Sequence, residues 1–191
     1  HVFSNKKNTL GAIYIVRDPR NVFLSFQNHF SSNTLKMKKI FFNKLMWIGH
    51  VFKGDEDLNK DFSIKTLIGN WQNNLNSWKK LTNNLLLIRY EDLINDPIKE
   101  FIKITHYLRQ FTKVDLDEEG IKKIVQKIDF KNLKKIEEKN GFVEASRNKK
   151  KEAISFFSAG PERNWQNTLD KETVKEIEEK FYKEMKELNY I

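Results

Sequence analysis

The sequence predicts an α/β protein in which a parallel sheet is flanked by helices. Two nearly continuous apolar runs, GAIYIVR (Gly11–Arg17) and LLLIRY (Leu85–Tyr90), have the composition of strands that are buried on both faces. Each run is followed by an acidic residue, a proline and a helical pattern. Alternation of strand and helix is typical of layered α/β domains, and no Pro- or Gly-rich linker divides the chain. We therefore expect residues 1–191 to form a single domain.

The helices after the two strands carry the same start signal. Asp18 can cap a helix that begins at Pro19, and Asp96 and Pro97 repeat the arrangement. The second of these helices has an apolar stripe expected to face the core, formed by Ile98, Phe101, Ile102 and Leu108.

Further helices are predicted at Ile68–Leu81, at Glu118–Ile128 and near the end of the chain. The last is the clearest, because its apolar residues recur every three or four positions. They are Val174, Ile177, Phe181, Met185 and Leu188. Segment Phe130–Ser155 is dense in charge and poor in apolar periodicity, which predicts a mobile loop or lid, with disorder as the alternative. No template assigns elements to Ser31–Ser63.

Composition limits the possible functions. A net charge of +9 and a pI near 9.5 are compatible with an anionic partner such as a nucleotide, a nucleic acid or an acidic lipid, but a general lysine bias that leaves most lysines on a solvated surface explains the charge better. The absence of cysteine excludes disulfides and thiolate zinc sites and favours a reducing, cytoplasmic location. No apolar run approaches the roughly 18–20 residues of a membrane span. No pair of histidines has metal-ligand spacing.

Arg17 is the first candidate site residue, because it stands at the carboxyl end of a predicted strand in a chain with 29 lysines and only 6 arginines. Ligands of open α/β sheets bind at that end. A guanidinium offers a planar fork of donors to phosphate or sulfate oxygens, beside a helix start that also favours anions. Ser25, two turns along the helix, could donate to the same anion. The alternatives are that Arg17 pairs locally with Asp18 or Glu91, and that Ser25 is a small packing residue.

Four blocks of sequence resemble the cytosolic-type sulfotransferases, in the family's order and over nearly the whole chain. YIVRDPRNVFLSFQNHF (14–30) is similar to the family's 3′-phosphate-binding segment, and IGNWQNNLNSW (68–78) to the stretch before the next strand. LLLIRYEDLINDP (85–97) resembles the strand that ends in Tyr-Glu-Asp-Leu. FFSAGPERNWQNTLDKE (156–172) resembles the C-terminal phosphate loop.

The resemblance implies a P-loop-NTPase-like sulfotransferase fold and a donor, 3′-phosphoadenosine 5′-phosphosulfate (PAPS). Arg17 and Ser25 correspond to the residues that grip the 3′-phosphate, and Tyr90 to the tyrosine at the adenine end. Gly160 corresponds to the glycine of the C-terminal loop. No metal is implied.

The sequence departs from the family pattern at three places. The Arg-Lys pair of the C-terminal loop is replaced by Ser158-Ala159, for which Arg163, or Arg147 with Lys149–Lys151, could compensate. No glycine-rich phosphate loop precedes the Arg17 strand, so we expect the chain to be the C-terminal part of a sulfotransferase domain, incomplete at its N-terminus. The family's catalytic histidine lies further upstream of Arg17 than His1, which precedes it by 16 residues. His1 remains a candidate general base.

The resulting expectation is sulfuryl transfer from PAPS by in-line displacement to the hydroxyl or amine of a small-molecule, sugar or alcohol acceptor. This chain would supply the 3′-phosphate-binding half and is expected to be a weak enzyme or none when alone. The alternatives are a P-loop-type nucleotide kinase, for which Glu91 or Asp92 could hold Mg²⁺, and a basic nucleic-acid-binding module. The acceptor pocket would be lined by aromatic side chains that could equally belong to the core, namely Phe30, Phe41, Phe42, Trp47 and Trp71.

Overall fold

The candidate site lies at the ends of two parallel strands, which are joined by a long crossover segment of helices and a hairpin. The computed structural model describes residues 7–30, 32–52, 62–141, 155 and 164–191. The strands are β1 (Ala12–Val16), β2 (Trp47–Phe52), β3 (Phe62–Leu67) and β4 (Leu85–Arg89). The helices are α1 (Pro19–His29), α2 (Thr34–Phe41), α3 (Trp71–Leu81), α4 (Tyr90–Asn95), α5 (Pro97–Leu108), α6 (Glu118–Lys127), α7 (Phe130–Asn140) and α8 (Lys171–Glu187), with a 3₁₀ turn at Trp165–Asn167 before α8.

The predicted parallel sheet is confirmed by the pairing of β1 with β4. The register runs from Ala12 opposite Leu85 to Val16 opposite Arg89. The carboxyl ends of both strands therefore meet at one edge, where Arg17 and Tyr90 follow them. Burial on both faces is wrong for β1, since Ile13 and Ile15 on one face remain 37% and 50% exposed within the described residues.

The helix starts follow the sequence signals. The Asp18 carboxylate accepts a hydrogen bond from the Arg20 N–H at 2.9 Å, and that of Asp96 accepts one from the Lys99 N–H at 3.1 Å, as the Asp-Pro pairs predict. The third predicted helix begins three residues later than Ile68, because Gly69 has a φ of +67° and Asn70 caps α3.

The core lies between α1, α2, α3 and α8. Helix α8 has the predicted apolar stripe, with Ile177, Phe181 and Met185 completely buried. The core cluster consists of Val16, Phe23, Met37, Phe41, Trp71, Leu75, Ile177, Phe181, Met185 and Leu188. Within the described residues, no helix is both long and apolar enough to cross a bilayer.

Two segments differ from expectation. The prediction of a loop or lid is wrong for residues 130–140, which form α7, because lysine and glutamate are good helix formers and Asp129 caps the start. Residues 142–154 lie outside the described part of the chain. The segment without a template contains α2 and an antiparallel hairpin of β2 with β3, in which Trp47 pairs with Leu67.

A buried carboxylate joins α3 to α8. Glu184 is only 3% exposed and accepts hydrogen bonds from Gln72 Nε2 at 2.7 Å and Asn76 Nδ2 at 2.9 Å. Burial alone would raise the pKa of Glu184, but these hydrogen bonds outweigh it, so the pKa lies below its ordinary value of 4.5. The ionised carboxylate is therefore the form that stabilises the fold.

We expect this carboxylate to make the fold sensitive to acid. Because the pKa of Glu184 is lower in the folded state, the ionised carboxylate adds to the free energy of unfolding. This contribution is fully present above pH 4.5 and is lost as the pH falls through the folded-state pKa. Glu184→Gln should cost about 1–3 kcal/mol at neutral pH and remove part of the acid sensitivity. Urea unfolding between about pH 5 and about pH 3 measures both effects. Glu179→Gln, an exposed position on the same helix, is the control. Parallel pH profiles for wild type and Glu184→Gln would contradict the assignment.

Candidate functional site

Arg17 and Tyr90 meet at the carboxyl edge of the parallel strands. Arg17 follows β1 directly, and Tyr90 is the first residue after β4. The Arg17 Cζ lies 4.4 Å from the centroid of the Tyr90 ring, so the guanidinium stacks on the phenol. Two of the residues selected from the sequence are thus in contact, although 73 positions separate them in the chain.

The carboxylates beside Arg17 have other partners. Asp18 pairs with Arg20, whose Nη2 lies 2.7 Å from Oδ2. Glu91 accepts hydrogen bonds from the Asp18 N–H at 3.1 Å and the Tyr190 hydroxyl at 2.9 Å. Within the described residues, no carboxylate lies within salt-bridge distance of Arg17, so the local-pairing alternative is wrong. Arg17 Nε is buried without a hydrogen-bond partner. A guanidinium in this state fits an incoming oxyanion.

The start of α1 offers less to an anion than the sequence suggests. The Asp18 carboxylate takes the Arg20 N–H, and the Asp18 N–H is donated to Glu91. The anion-binding candidates of this edge are therefore side chains: Arg17, and Arg89 at the end of β4, whose Nε is likewise buried without a hydrogen-bond partner. Ser25 lies on α1 with an exposed side chain and is not packed in the core. That exposure disfavours the packing alternative, and its role toward an anion stays a prediction.

Trp71 fixes the backbone of Arg17, a role that sequence reasoning missed. Its indole Nε1 donates a 3.0 Å hydrogen bond to the Arg17 carbonyl oxygen. Asn70, completely buried, accepts from the Asn73 N–H and so begins α3 at Trp71. The signal in the sequence was the Gly-Asn-Trp at the start of α3.

The segment before α8 reaches the same edge through Trp165. The Trp165 N–H donates to Asn21 Oδ1 at 3.1 Å, and the Trp165 ring lies 4.0 Å from the Arg20 Cζ. The 3₁₀ turn is thereby attached to the first turn of α1. His1, Gly160 and Arg163 lie outside the described residues, as does the Ser158-Ala159 pair.

An apolar cavity of about 240 Å³ adjoins Arg17 on the core side of β1. Of the aromatic residues suggested for an acceptor pocket, Phe41 and Trp71 line it. Both also belong to the core, whereas Phe30 and Trp47 are exposed, at 43% and 57%. Those two lie on the surface around α1 and β2, away from the core.

Tyr14 is one of the polar groups in the wall of this cavity, with Arg17, Asn70 and Asn74. Its hydroxyl donates to Asn74 Oδ1 at 2.8 Å, and burial raises the pKa of Tyr14 to about 12. The phenol therefore remains protonated at physiological pH and acts as a donor. Within the residues that the structure describes, no group of three His, Asp or Glu side chains is placed to hold a metal ion.

Comparison with known proteins identifies the family. The chain is 26% identical to the amine sulfotransferase of Oryctolagus cuniculus over 189 residues, which are 96% of this chain and 57% of that protein. It is 29% identical to sulfotransferase 1A1 of Bos taurus over 125 residues, 64% of this chain and 37% of that protein. The chain therefore spans about half the length of the curated relatives it matches.

Solved structures agree on the fold. The structure of mouse sulfotransferase SULT7A1 complexed with PAP (3′-phosphoadenosine 5′-phosphate) superimposes on this chain with a TM-score of 0.63 and 21% sequence identity. The match covers 94% of this chain and 59% of the mouse chain. The sequence model of the sulfotransferase domain matches residues 3–189. With the parallel strands, the helical flanks and the Arg17–Tyr90 edge, this match shows that the chain belongs to the sulfotransferase domain family.

Proposed function

We propose that the protein transfers a sulfuryl group from PAPS to the hydroxyl or amine of a small-molecule, sugar or alcohol acceptor. Within this activity, residues 1–191 form one domain unit that binds the 3′-phosphate end of the donor. The observation that supports the proposal best is Arg17, a guanidinium with a buried, unpartnered Nε at the ligand-binding edge of a parallel sheet. Phosphate oxygens match its donors in charge and in geometry.

Each residue has a defined part in this proposal. Arg17 binds the 3′-phosphate oxygens, and Ser25 donates its hydroxyl to the same group. The Tyr90 ring stacks against the Arg17 guanidinium and contacts the adenine end of the donor nucleotide. Gly160 supplies a backbone N–H, and Arg163 supplies charge that the Ser158-Ala159 departure removes.

Binding at a remote phosphate contributes to rate by holding the reacting end in position. The chemistry itself is an in-line displacement in which the acceptor oxygen or nitrogen replaces the nucleotide phosphate oxygen on sulfur. A base must accept the acceptor proton, and His1 is the candidate from this chain. No step in this scheme requires a metal ion. The lack of cysteine keeps the cytoplasm as the proposed compartment.

The kinase alternative has weaker support. It requires carboxylates for Mg²⁺, and of the two candidates Glu91 already accepts hydrogen bonds from protein donors on both oxygens, which leaves only Asp92. A nucleic-acid-binding module needs exposed aromatics interleaved with basic residues, and the largest aromatic group instead lies in the core.

Calorimetric titration of the purified protein tests the proposal. 3′-Phosphoadenosine 5′-phosphate (PAP), which retains the 3′-phosphate, should bind about 10- to 150-fold more tightly than 5′-AMP, because charge-assisted hydrogen bonds are lost with that phosphate. The preference should persist in EDTA. Equal binding of the two nucleotides, or binding of neither, would refute the 3′-phosphate site. A requirement for Mg²⁺ would favour the kinase.

A further inference from the structure

The segment after α8 reaches the Arg17–Tyr90 edge through Tyr190. The Tyr190 hydroxyl donates to Glu91 Oε2 at 2.9 Å, and its carbonyl oxygen accepts from Arg20 Nη2 at 2.9 Å. Its ring lies 4.7 Å from the Arg89 Cζ. The residue thus contacts side chains that follow or end both parallel strands.

Through Glu91, the contact of Tyr190 also connects the ends of β1 and β4. One carboxylate oxygen accepts from the Tyr190 hydroxyl, and the other accepts from the Asp18 N–H at 3.1 Å. Asp18 directly follows Arg17, and Glu91 directly follows Tyr90. The ends of β1 and β4 are therefore joined twice. Arg17 stacks on Tyr90, and the Asp18 N–H donates a hydrogen bond to Glu91.

The Tyr190 phenol is held as a donor. Burial, followed by the negative charge of Glu91, raises its pKa well above the ordinary value of 10.0. The phenol therefore keeps its proton at neutral pH and can donate to Glu91. Removing the hydroxyl would leave one partly buried carboxylate oxygen without this donor and free Glu91 to rotate away from Asp18.

We propose that Tyr190 is a positioning residue that acts through Glu91 to hold Arg17 against Tyr90 in the geometry that binds the 3′-phosphate. The inference rests on the proposed function, since the quantity it controls is recognition of that phosphate. Neither Tyr190 nor Glu91 touches the nucleotide in this scheme.

Tyr190→Phe tests the inference, because it removes the hydroxyl and keeps the ring beneath Arg89. The readout is the ratio of the dissociation constants of 5′-AMP and PAP, measured well below the melting temperature. The ratio should fall about 3- to 10-fold, the effect of one lost hydrogen bond. A purely structural role would lower Tm and leave the ratio unchanged. Tyr182→Phe, an exposed tyrosine of α8, is the matched control and should change neither.

A double-mutant cycle with Glu91→Gln tests the route of the effect. Glu91→Gln alone should also lower the ratio, because one of the two accepting oxygens becomes an NH2 group and the charge that strengthens both hydrogen bonds is lost. Tyr190→Phe should then add little in the Glu91→Gln background. Full, independent effects of both changes would overturn the coupling through Glu91.

The two proposals fail in different ways. A wild-type ratio near one refutes the 3′-phosphate site itself. A high wild-type ratio that is abolished by Arg17→Ala but unchanged in Tyr190→Phe refutes only the positioning role. If Tyr190→Phe does not fold, Glu91→Gln decides alone, and an unchanged ratio in that variant overturns the inference.

Discussion

Arg17→Ala should raise the dissociation constant for PAP by about 10- to 150-fold, the range expected when charge-assisted hydrogen bonds to a phosphate are lost. Binding of 5′-AMP should change little, because that nucleotide lacks the group that Arg17 contacts in the proposed site. Since no carboxylate pairs with Arg17 in the described residues, the free energy of unfolding should fall only by the lost stacking on Tyr90, about 0.5–1 kcal/mol. Titration calorimetry and urea unfolding measure the two effects separately.

Two variants sharpen this test. Arg17→Lys keeps the charge and loses the planar fork, so it should recover only part of the affinity for PAP. Arg109→Ala removes another guanidinium, one that is exposed and donates to the Val114 and Leu116 carbonyl oxygens, and it should leave PAP binding unchanged. Equal losses in Arg17→Ala and Arg109→Ala would show that general positive charge, rather than the site, attracts the nucleotide.

Arg20→Ala, unlike Arg17→Ala, should act mainly on stability. It should lower the free energy of unfolding by about 3–5 kcal/mol, the loss typical of a buried charge left without its partner. Arg20 is 4% exposed and donates through Nε and Nη2 to Asp18, which is also buried. It also pairs with Glu178 and donates to the Tyr190 carbonyl oxygen. Alanine would leave the Asp18 carboxylate in the core with only backbone donors. The midpoint and slope of urea unfolding give the change in free energy.

A second replacement tests whether the unpaired carboxylate is the cause. Asp18→Asn combined with Arg20→Ala should be less destabilised than Arg20→Ala alone, because no buried charge remains. The asparagine side chain introduced at position 18 can still cap α1. If the double variant loses the sum of the two single losses, the pair is not coupled, and Arg20 must act mainly through Glu178 and Trp165.

Arg17 and Arg20 stand three positions apart in the same segment, and only Arg17 was selected from the sequence. The alternative that Arg17 pairs locally with Asp18 or Glu91 is wrong, because Asp18 pairs with Arg20. Helix α1 decides the pairing, because Arg20 lies in its first turn and returns toward the capping Asp18. Arg17 precedes the helix and lies against Tyr90 instead.

Local patterns were sufficient for the elements with strong periodicity or clear caps. The apolar runs predicted β1 and β4, the Asp-Pro pairs predicted the starts of α1 and α5, and the stripe of α8 predicted its buried face. These signals are local because a strand, a cap and a helical face each depend on residues within a few positions of one another. The resemblance to the family also came from local motifs, and the sulfotransferase domain model matches residues 3–189.

The elements that sequence reasoning missed depend on distant partners. The β2–β3 hairpin is stabilised by pairing between its two strands. Helix α7 has too few apolar residues for a helical periodicity to be recognised in the sequence. Exposure of Ile13 and Ile15 likewise depends on what covers β1, which its own apolar composition does not reveal.

By itself, then, the sequence determined the fold class, the family and the residues that the family's motifs single out, because each of these is written in short contiguous segments. Only the tertiary structure decided that Arg20, rather than Arg17, pairs with Asp18 in the core. It also brought Trp71, Glu91 and Tyr190 to the strand ends, from positions up to 174 residues away from the backbone they contact. Such contacts have no local signature, since they arise when packing of α3 and α8 against the sheet places distant side chains together.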